Sequence, residues 1–392
     1  EFRLRGPTPA AGGPPTGARD EFVELYNNTN SNIVVTTTDG SFGWTITSSN
    51  TAAAPVTATI PNGTIIPARA HYLAANGSGY SLAGFASADT FFSGDIPDDT
   101  GLALVRTTTV ANYSQPGFLL DAVGFNTDNN PFYREGTGLA PIGSTDGEMS
   151  FLRRLTPGTP LDTGVNTNDF ILVSTNAANF NGVQSILGAP GPENLASPIQ
   201  RNAFVKAQLV DPQCGNFGDA TTACARVRNG TPVTNGAAGT LAIRRRFTNA
   251  TGQKITRLRF RIVDLTTLGN LQAGEADLRA LSSSDISVTN TASQSVQISG
   301  LTLEQSALQP NGGGINSTLS AGSITFSTPL APGAGVNVEF RLGVQNNGSF
   351  RFFVNVEALT TNANVASLAP SKANVVSRKT KELQAEHSTQ KR

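Results

Sequence analysis

Lysine is missing from the first 205 residues of this 392-residue chain; the first one is Lys206. Methionine and tryptophan occur once each, histidine and cysteine twice each. These shortages remove whole classes of chemistry. The two histidines, His71 and His387, are far apart, and no HExxH or other paired-imidazole motif is present. Nor is there a GxSxG nucleophile turn or a phosphate loop ending in GKS or GKT. A Ser/His/Asp site would have to use His71, and nothing in "ARAHYLAA" resembles a nucleophile turn. One tryptophan and five tyrosines are few for a sugar-stacking platform. No apolar run approaches the roughly 18–20 residues of a bilayer-spanning helix, so no membrane span is expected.

What is plentiful points to strands. The chain holds 40 glycines and 22 prolines, and Thr, Asn and Ser crowd the gaps between short apolar runs. Such a composition favours strands joined by tight turns, and the expected class is all-β. The start at Glu1, without a charged-then-apolar leader, fits a mature chain whose signal peptide has been removed. An extracellular or cell-surface location is therefore expected. Cys214 and Cys224 flank a short Gly/Asn/Asp/Ala/Thr-rich loop. In an oxidising compartment their disulfide would stabilise that loop by roughly 2–3 kcal/mol. The spacing is not CxxC and no histidine is near, which argues against a redox or metal role.

The net charge of zero hides a gradient. Residues 1–198 carry 8 arginines against 17 acids, net −9. Residues 199–369 carry 14 bases against 9 acids, net +5, and residues 370–392 carry 6 against 2, net +4. An acidic front and a basic rear suit subunits that attract one another head to tail.

The clearest break in periodicity is "LGAPGPENLASPIQ", residues 187–200, which reads as a linker. The division expected is a β-sandwich over 1–195, a linker over 196–203, a second β-sandwich over 204–369 and a basic extended tail over 370–392. In the first part "EFRLR", "EFVELY", "SFGWTI", "GLALVR", "MSFLRRL" and "DFILVS" read as strands. In the second, "TLAIRRRFTN" and "KITRLRFRIVDL" read as a hairpin turned at "NATGQ", and "GSITFSTPL", "VNVEFRLGVQ" and "SFRFFVNVEAL" as further strands. Alternation places Leu258, Phe260 and Ile262 inward and Arg257, Arg259 and Arg261 in an outward guanidinium row.

"DEFVELYNNT", the Gly43–Trp44 pair, "IPNGTIIPARAHYLAA", "GDIPDDTGLALV" and "LLDAVGF" follow one another in the order of a known family. On these motifs the first part resembles a bacterial lamin tail domain, which implies an immunoglobulin-like β-sandwich. Here "TTTDGSF" is inserted before Trp44, a departure at one local turn. The second part is similar to an uncharacterised β-sandwich module of secreted bacterial proteins, on "RNGT", "RRRF", "TRLRFRIVD" and "FFVNVEAL". The fold expected is thus two immunoglobulin-like β-sandwiches in tandem with an extended C-terminal tail.

Individual residues then take provisional roles. Trp44 is expected in the core, where an indole buries ~150–250 Å². In "DEFVEL" the expected inward pair is Val23 with Leu25, leaving Asp20, Glu21 and Glu24 on an acidic outer surface, one half of a charged docking face. Asp95, Asp98 and Asp99, or Asp128 with Glu135, can offer oxygens to Ca²⁺. Asp beside Pro and Gly is also ordinary turn chemistry, and that reading is preferred, with no cofactor expected. Arg244, Arg246, Arg257, Arg259 and Arg261, with Lys379 and Lys381 in the tail, are candidate interaction residues for an acidic partner. Nuclear lamin tail domains associate with chromatin, but the arginines here lie outside the lamin-tail-like part, and nucleic acid is not favoured. The function expected is a non-enzymatic structural subunit of a bacterial surface layer or extracellular filament. Copies would dock head to tail by charge and by strand addition through "EFRLR" or "KANVVSR". The alternative is a secreted adhesion module that binds surface polysaccharide or another anionic polymer, accessory to an enzyme.

Overall fold

The computed structural model describes residues 1–7, 17–49, 55–155, 160–198 and 204–361. Lys379, Lys381 and "KANVVSR" lie outside the described residues. Regular structure is nearly all strand; the one α-helix among the described residues is the short Asn166–Asp169. No helix there is long and apolar enough to cross a membrane.

The front of the chain builds two sheets that share a core. A seven-stranded sheet runs in the order Ile186–Leu187, Phe170–Ser174, Met149–Arg153, Phe2–Arg3, Phe22–Tyr26, His71–Asn76 and Thr90–Phe92. A four-stranded sheet runs Leu119–Val123, Leu102–Val105, Gly43–Ser48 and Thr57–Pro61. Phe2, Val23, Trp44, Ile46, Ile60, Phe125 and Phe151 fill the space between them. Phe2 stacks on Phe151 at 5.1 Å, and the Trp44 Nε1 donates to the Thr36 carbonyl at 2.8 Å, which satisfies its one buried polar atom. The opposite face of the Phe22–Tyr26 strand is also covered: Phe22 packs with Leu73 and Leu82.

Phe2 lies opposite both Phe151 and Val23, between two strands of its own chain. "EFRLR" is therefore an inner strand of its sheet, and the expectation that it reaches out to a neighbouring copy is corrected.

The rear of the chain repeats the plan with longer strands. Val205–Gln208, Thr240–Asn249, Gly335–Asn346 and Asp277–Leu281 form one sheet, with Arg226–Asn229 also on Thr240–Asn249. Thr302–Leu303, Thr318–Ser320, Ile255–Leu265 and Phe352–Thr360 form the other. The expected hairpin at "NATGQ" is not formed, because its two strands belong to different sheets. They meet across the core, with Phe247 and Phe260 4.7 Å apart. "NNGS" likewise carries the chain from one sheet to the other, placing Phe340 against Phe352 at 5.5 Å. Both segments bury a full apolar face, and facing sheets cover two such faces at once. "GSITFSTPL" is not a strand, although Ile324 within it is buried. Cys214 and Cys224 are disulfide-bonded, with Cα atoms 5.0 Å apart.

The two cores meet along one side of the seven-stranded sheet, where Leu152 and Ile186 also pack against the rear core. On Phe170–Ser174, Phe170 and Leu172 face the front core while Val173 enters the rear one, and Ile171 packs against it. The segment expected as a linker continues this junction. Residues 187–194 are buried, and Gly188 bridges to Ile315. Pro190 and Pro192 carry no N–H, so the segment crosses the junction without needing a ladder of its own. A Cβ on Gly188 would collide with the Ile315 carbonyl and crowd the Val173 side chain, so only glycine permits this approach. The break in periodicity marks a buried strap rather than an exposed connection.

Candidate functional site

The alternation of "RLRFRI" is real, but its second face is not solvent. Leu258, Phe260 and Ile262 enter the rear core as expected. Arg259 and Arg261 are buried as well, because the strap and the front sheet cover their side of the strand. Cross-strand register sets Arg259 opposite Glu357 and Arg261 opposite Asn355. Glu357, fully buried, accepts from Arg259 Nε at 2.6 Å and from Arg261 Nε at 2.9 Å. Arg259 also ion-pairs with Glu193 of the strap, and Arg261 Nη1 donates to Asn316 Oδ1 at 2.6 Å and to the Gly191 carbonyl at 3.0 Å. Arg257, two residues before, stays 39% exposed on Glu304. The expected outward row is corrected: one of its three members reaches water.

The front sheet closes the network. Glu24 and His71 are adjacent because Phe22–Tyr26 pairs with His71–Asn76. His71 Nδ1 lies 2.5 Å from Glu24 Oε1, and its Nε2 lies 3.0 Å from Glu193 Oε2. The His71 ring thus bridges a carboxylate of the front sheet and one of the strap. Tyr26 packs on this ring at 4.7 Å. Glu24 Oε2 also accepts from the Glu193 backbone N–H at 2.9 Å. Burial pushes the Glu24 carboxyl up, but His71 and Arg261 outweigh it and hold the group down at about 2. Burial lowers the Arg261 guanidinium, and Glu357, Glu193 and Glu24 together raise it above its ordinary value. The Glu1 carboxyl is raised by burial and by Glu24; it accepts from Ser150 Oγ at 2.6 Å and Asn316 Nδ2 at 2.9 Å.

This network forms one end of a cavity of about 300 Å³ between the front sheets. Phe2, Val23, Ile46, Leu102, Leu152 and Phe170 supply apolar walls. Glu24, His71, Glu193, Arg261, Asn316 and Asn355 supply the polar end. Among the described residues no serine, threonine or cysteine lines it, and the one hydroxyl-bearing side chain in the lining is Tyr26, which packs on His71.

Among the described residues two groups have ligand atoms close enough for a metal: Glu24, His71 and Glu193, and Glu135, Asp162 and Asp169. In the first, Arg259 and Arg261 already neutralise Glu193. In the second, Arg153 stands 3.7 Å from Asp169 and 4.0 Å from Asp162, while Glu135 is raised to about 7 by burial and then by Asp121. A divalent cation at either place would meet a fixed guanidinium.

The other sequence candidates disperse. Asp98 is held by Arg5 through two oxygens, and Asp99 accepts from the Ile142 and Gly143 N–H groups at 2.8 and 2.9 Å. Asp95 does not join them in a metal-sized group. Asp128 accepts from the Gly101 N–H at 3.0 Å. Asp20 and Glu21 are buried, not on an outer surface: Asp20 pairs with Arg3, and Glu21 accepts from Asn76 Nδ2 at 2.6 Å and the Ile96 N–H at 2.7 Å. Burial drives Glu21 up to about 8. Glu24 too is withdrawn from solvent, as above. Arg244 is buried on Glu339 at 2.9 Å, and the half-buried Arg246 reaches Asn337 at 3.4 Å. Glu193 was not expected at all; a lone acid in a Pro/Gly-rich stretch carries no signal of what will surround it. Compared with family models, with curated proteins and with solved structures, the chain matches none.

Proposed function

We propose that this chain is a non-enzymatic extracellular structural protein, built of two immunoglobulin-like sandwiches with the front one of lamin-tail type. The observation that carries the reading is the shared ion network. Glu193, Arg259, Arg261, Glu357, Glu24 and His71 bind one another across strap, front sheet and rear sheet. These acid–base groups are thereby committed to joining two halves. A disulfide and the lack of a long apolar helix among the described residues are compatible with an extracellular setting.

A rigid two-part unit with net −9 in front and positive charge behind suits serial head-to-tail docking as a surface-layer or filament subunit. Electron microscopy and light scattering of the purified chain test this. Ordered polymers that dissolve as salt rises are expected, since exposed charge attraction is screened within ~8 Å at physiological ionic strength. A strictly monomeric chain at high concentration and low salt would overturn it. The polysaccharide or anionic-polymer reading depends on exposed arginines, and the burial of Arg244, Arg259 and Arg261 removes much of its footing.

A further inference from the structure

We propose that Arg226 and Arg245, at one margin of the rear sandwich, form a binding site for a dianionic tetrahedral oxyanion: sulfate, phosphate or a phosphate monoester. The site is independent of assembly, and its test does not require polymers.

Strand register brings the two arginines together. Arg226 lies directly opposite Ile243, so it shares a face of the sheet with Ile243 and, two residues on, with Arg245. The edge of the sheet changes hands at this point. Arg226–Asn229 pairs with Thr240–Asn249 only as far as Ile243, and Val205–Gln208 takes over at Arg246. Arg245 falls in the gap between the two edge strands, and both arginines are half-buried. The Arg226 guanidinium sits over two rings, 5.7 Å from Phe350 and 5.8 Å from the exposed Phe217. The Cys214–Cys224 disulfide and a bond of 3.0 Å from the Gly218 N–H to the Arg226 carbonyl tie down the loop that carries Phe217. These contacts place the cation without using its N–H groups.

Donors and charge are left open. Among the described residues neither arginine has a carboxylate partner, whereas Arg244, next in sequence, is paired with Glu339. Arg245 uses Nη1 on the Arg244 and Ala225 carbonyls, at 2.7 and 3.3 Å. Its Nε and Nη2, and every side-chain nitrogen of Arg226, bond to no protein acceptor, and none of these atoms is sealed from water. Their N–H groups are therefore open to a solute. Burial, and then the charge of Arg226, lower the Arg245 guanidinium from its ordinary value. Two half-buried cations thus lie together uncompensated, and a dianion closes that balance where a monoanion leaves one charge over. Each guanidinium carries forked N–H groups that match two oxygens of a tetrahedral anion. The net +5 over residues 199–369 draws anions toward this half.

The test is calorimetric titration of the full chain at low salt and about pH 8, where phosphate is mostly dianionic. Sodium sulfate, inorganic phosphate, phenyl phosphate and acetate are the probes. Saturable 1:1 binding of sulfate and phosphate is expected, with acetate about tenfold weaker or more. Phenyl phosphate bound tighter than phosphate assigns the site to an ester; equal or weaker binding assigns it to the free ion. Arg226→Gln and Arg245→Gln should each weaken sulfate about tenfold or more while circular dichroism stays unchanged. Lys206→Gln removes the same charge from an exposed position on the neighbouring edge strand and should leave sulfate binding unchanged. Absence of saturable sulfate binding, or acetate bound as tightly as sulfate, would overturn the proposal. So would folded arginine variants that bind sulfate as before, or an equal loss in Lys206→Gln. If an arginine variant does not fold, the anion series on the unaltered chain decides alone.

Discussion

Replacing Glu357 by glutamine isolates what the network contributes. Glu357 is 0% exposed and accepts from two guanidiniums, Arg259 at 2.6 Å and Arg261 at 2.9 Å. Glutamine keeps the shape, but its one oxygen serves one arginine and its NH₂ then points a donor at the other. Two buried cations are left sharing Glu193. Removing one partner of a buried ion pair costs about 3–5 kcal/mol, most of it the penalty of the charge left behind. For a cooperative unit of 150–250 residues, 1 kcal/mol moves Tm by about 2–4 °C, so a fall of roughly 6–20 °C is expected. Arg257→Gln is the internal control. It sits two residues before Arg259 on the same face of the Ile255–Leu265 strand, but its side chain is 39% exposed, and such a pair is worth about 0–1 kcal/mol. Urea denaturation and scanning calorimetry of both variants measure the difference. The reasoning fails if Glu357→Gln costs under about 1 kcal/mol, or if Arg257→Gln costs as much.

Further outcomes follow from other buried groups. Glu21, held at about 8 when folded against an ordinary 4.5, binds a proton in the native state that the unfolded chain has released. Stability should therefore fall as pH rises from about 4.5 to about 8 and level off above, and Glu21→Gln should flatten that slope in denaturation measured across this range. The paired change Cys214→Ser with Cys224→Ser should cost about 2–3 kcal/mol, read from urea midpoints, and reduction of the unaltered chain should reproduce it. Replacing Glu193, Arg259, Arg261 and Glu357 together by Leu, Met, Met and Leu should regain most of the stability that Glu357→Gln loses, since apolar isosteres of whole buried ion clusters are often as stable. Amide exchange in residues 187–194 should still be faster in that variant; unchanged protection would refute an ordering role for the network.

Much of the fold was legible because a strand has a period of two. Val23, Phe260 and the inward faces of "VNVEFRLGVQ" and "SFRFFVNVEAL" could be placed from alternation alone. Alternation separates two faces but does not say what covers the second. Arg259 and Arg261 therefore read as wet, like Arg257, and only the strap makes them different. The misread hairpin has a similar cause: "NATGQ" signals a turn, yet a turn can return to the same sheet or cross to its partner. Here the crossing places Phe247 on Phe260. The site was less legible still, since its members come from positions 24, 71, 193, 259, 261 and 357. No local motif joins residues so far apart.

An apolar junction could hold the two halves as tightly, so strength does not account for burying this many charges. Direction does. Leu or Val at positions 193, 259 and 357 would pack in several registers, because dispersion contacts are non-directional. A carboxylate accepting from two guanidiniums fixes distance and angle at once, and each guanidinium carries donors in a rigid fork. Glu193 is held from three sides, by His71 of the front sheet and by Arg259 and Arg261 of the rear, while Gly188 admits the close approach of the strap. The strap thus has one seating compatible with every pair. For a subunit repeated along an assembly, a small error in the angle between halves would accumulate from copy to copy. A junction that permits a single geometry is what such a subunit needs.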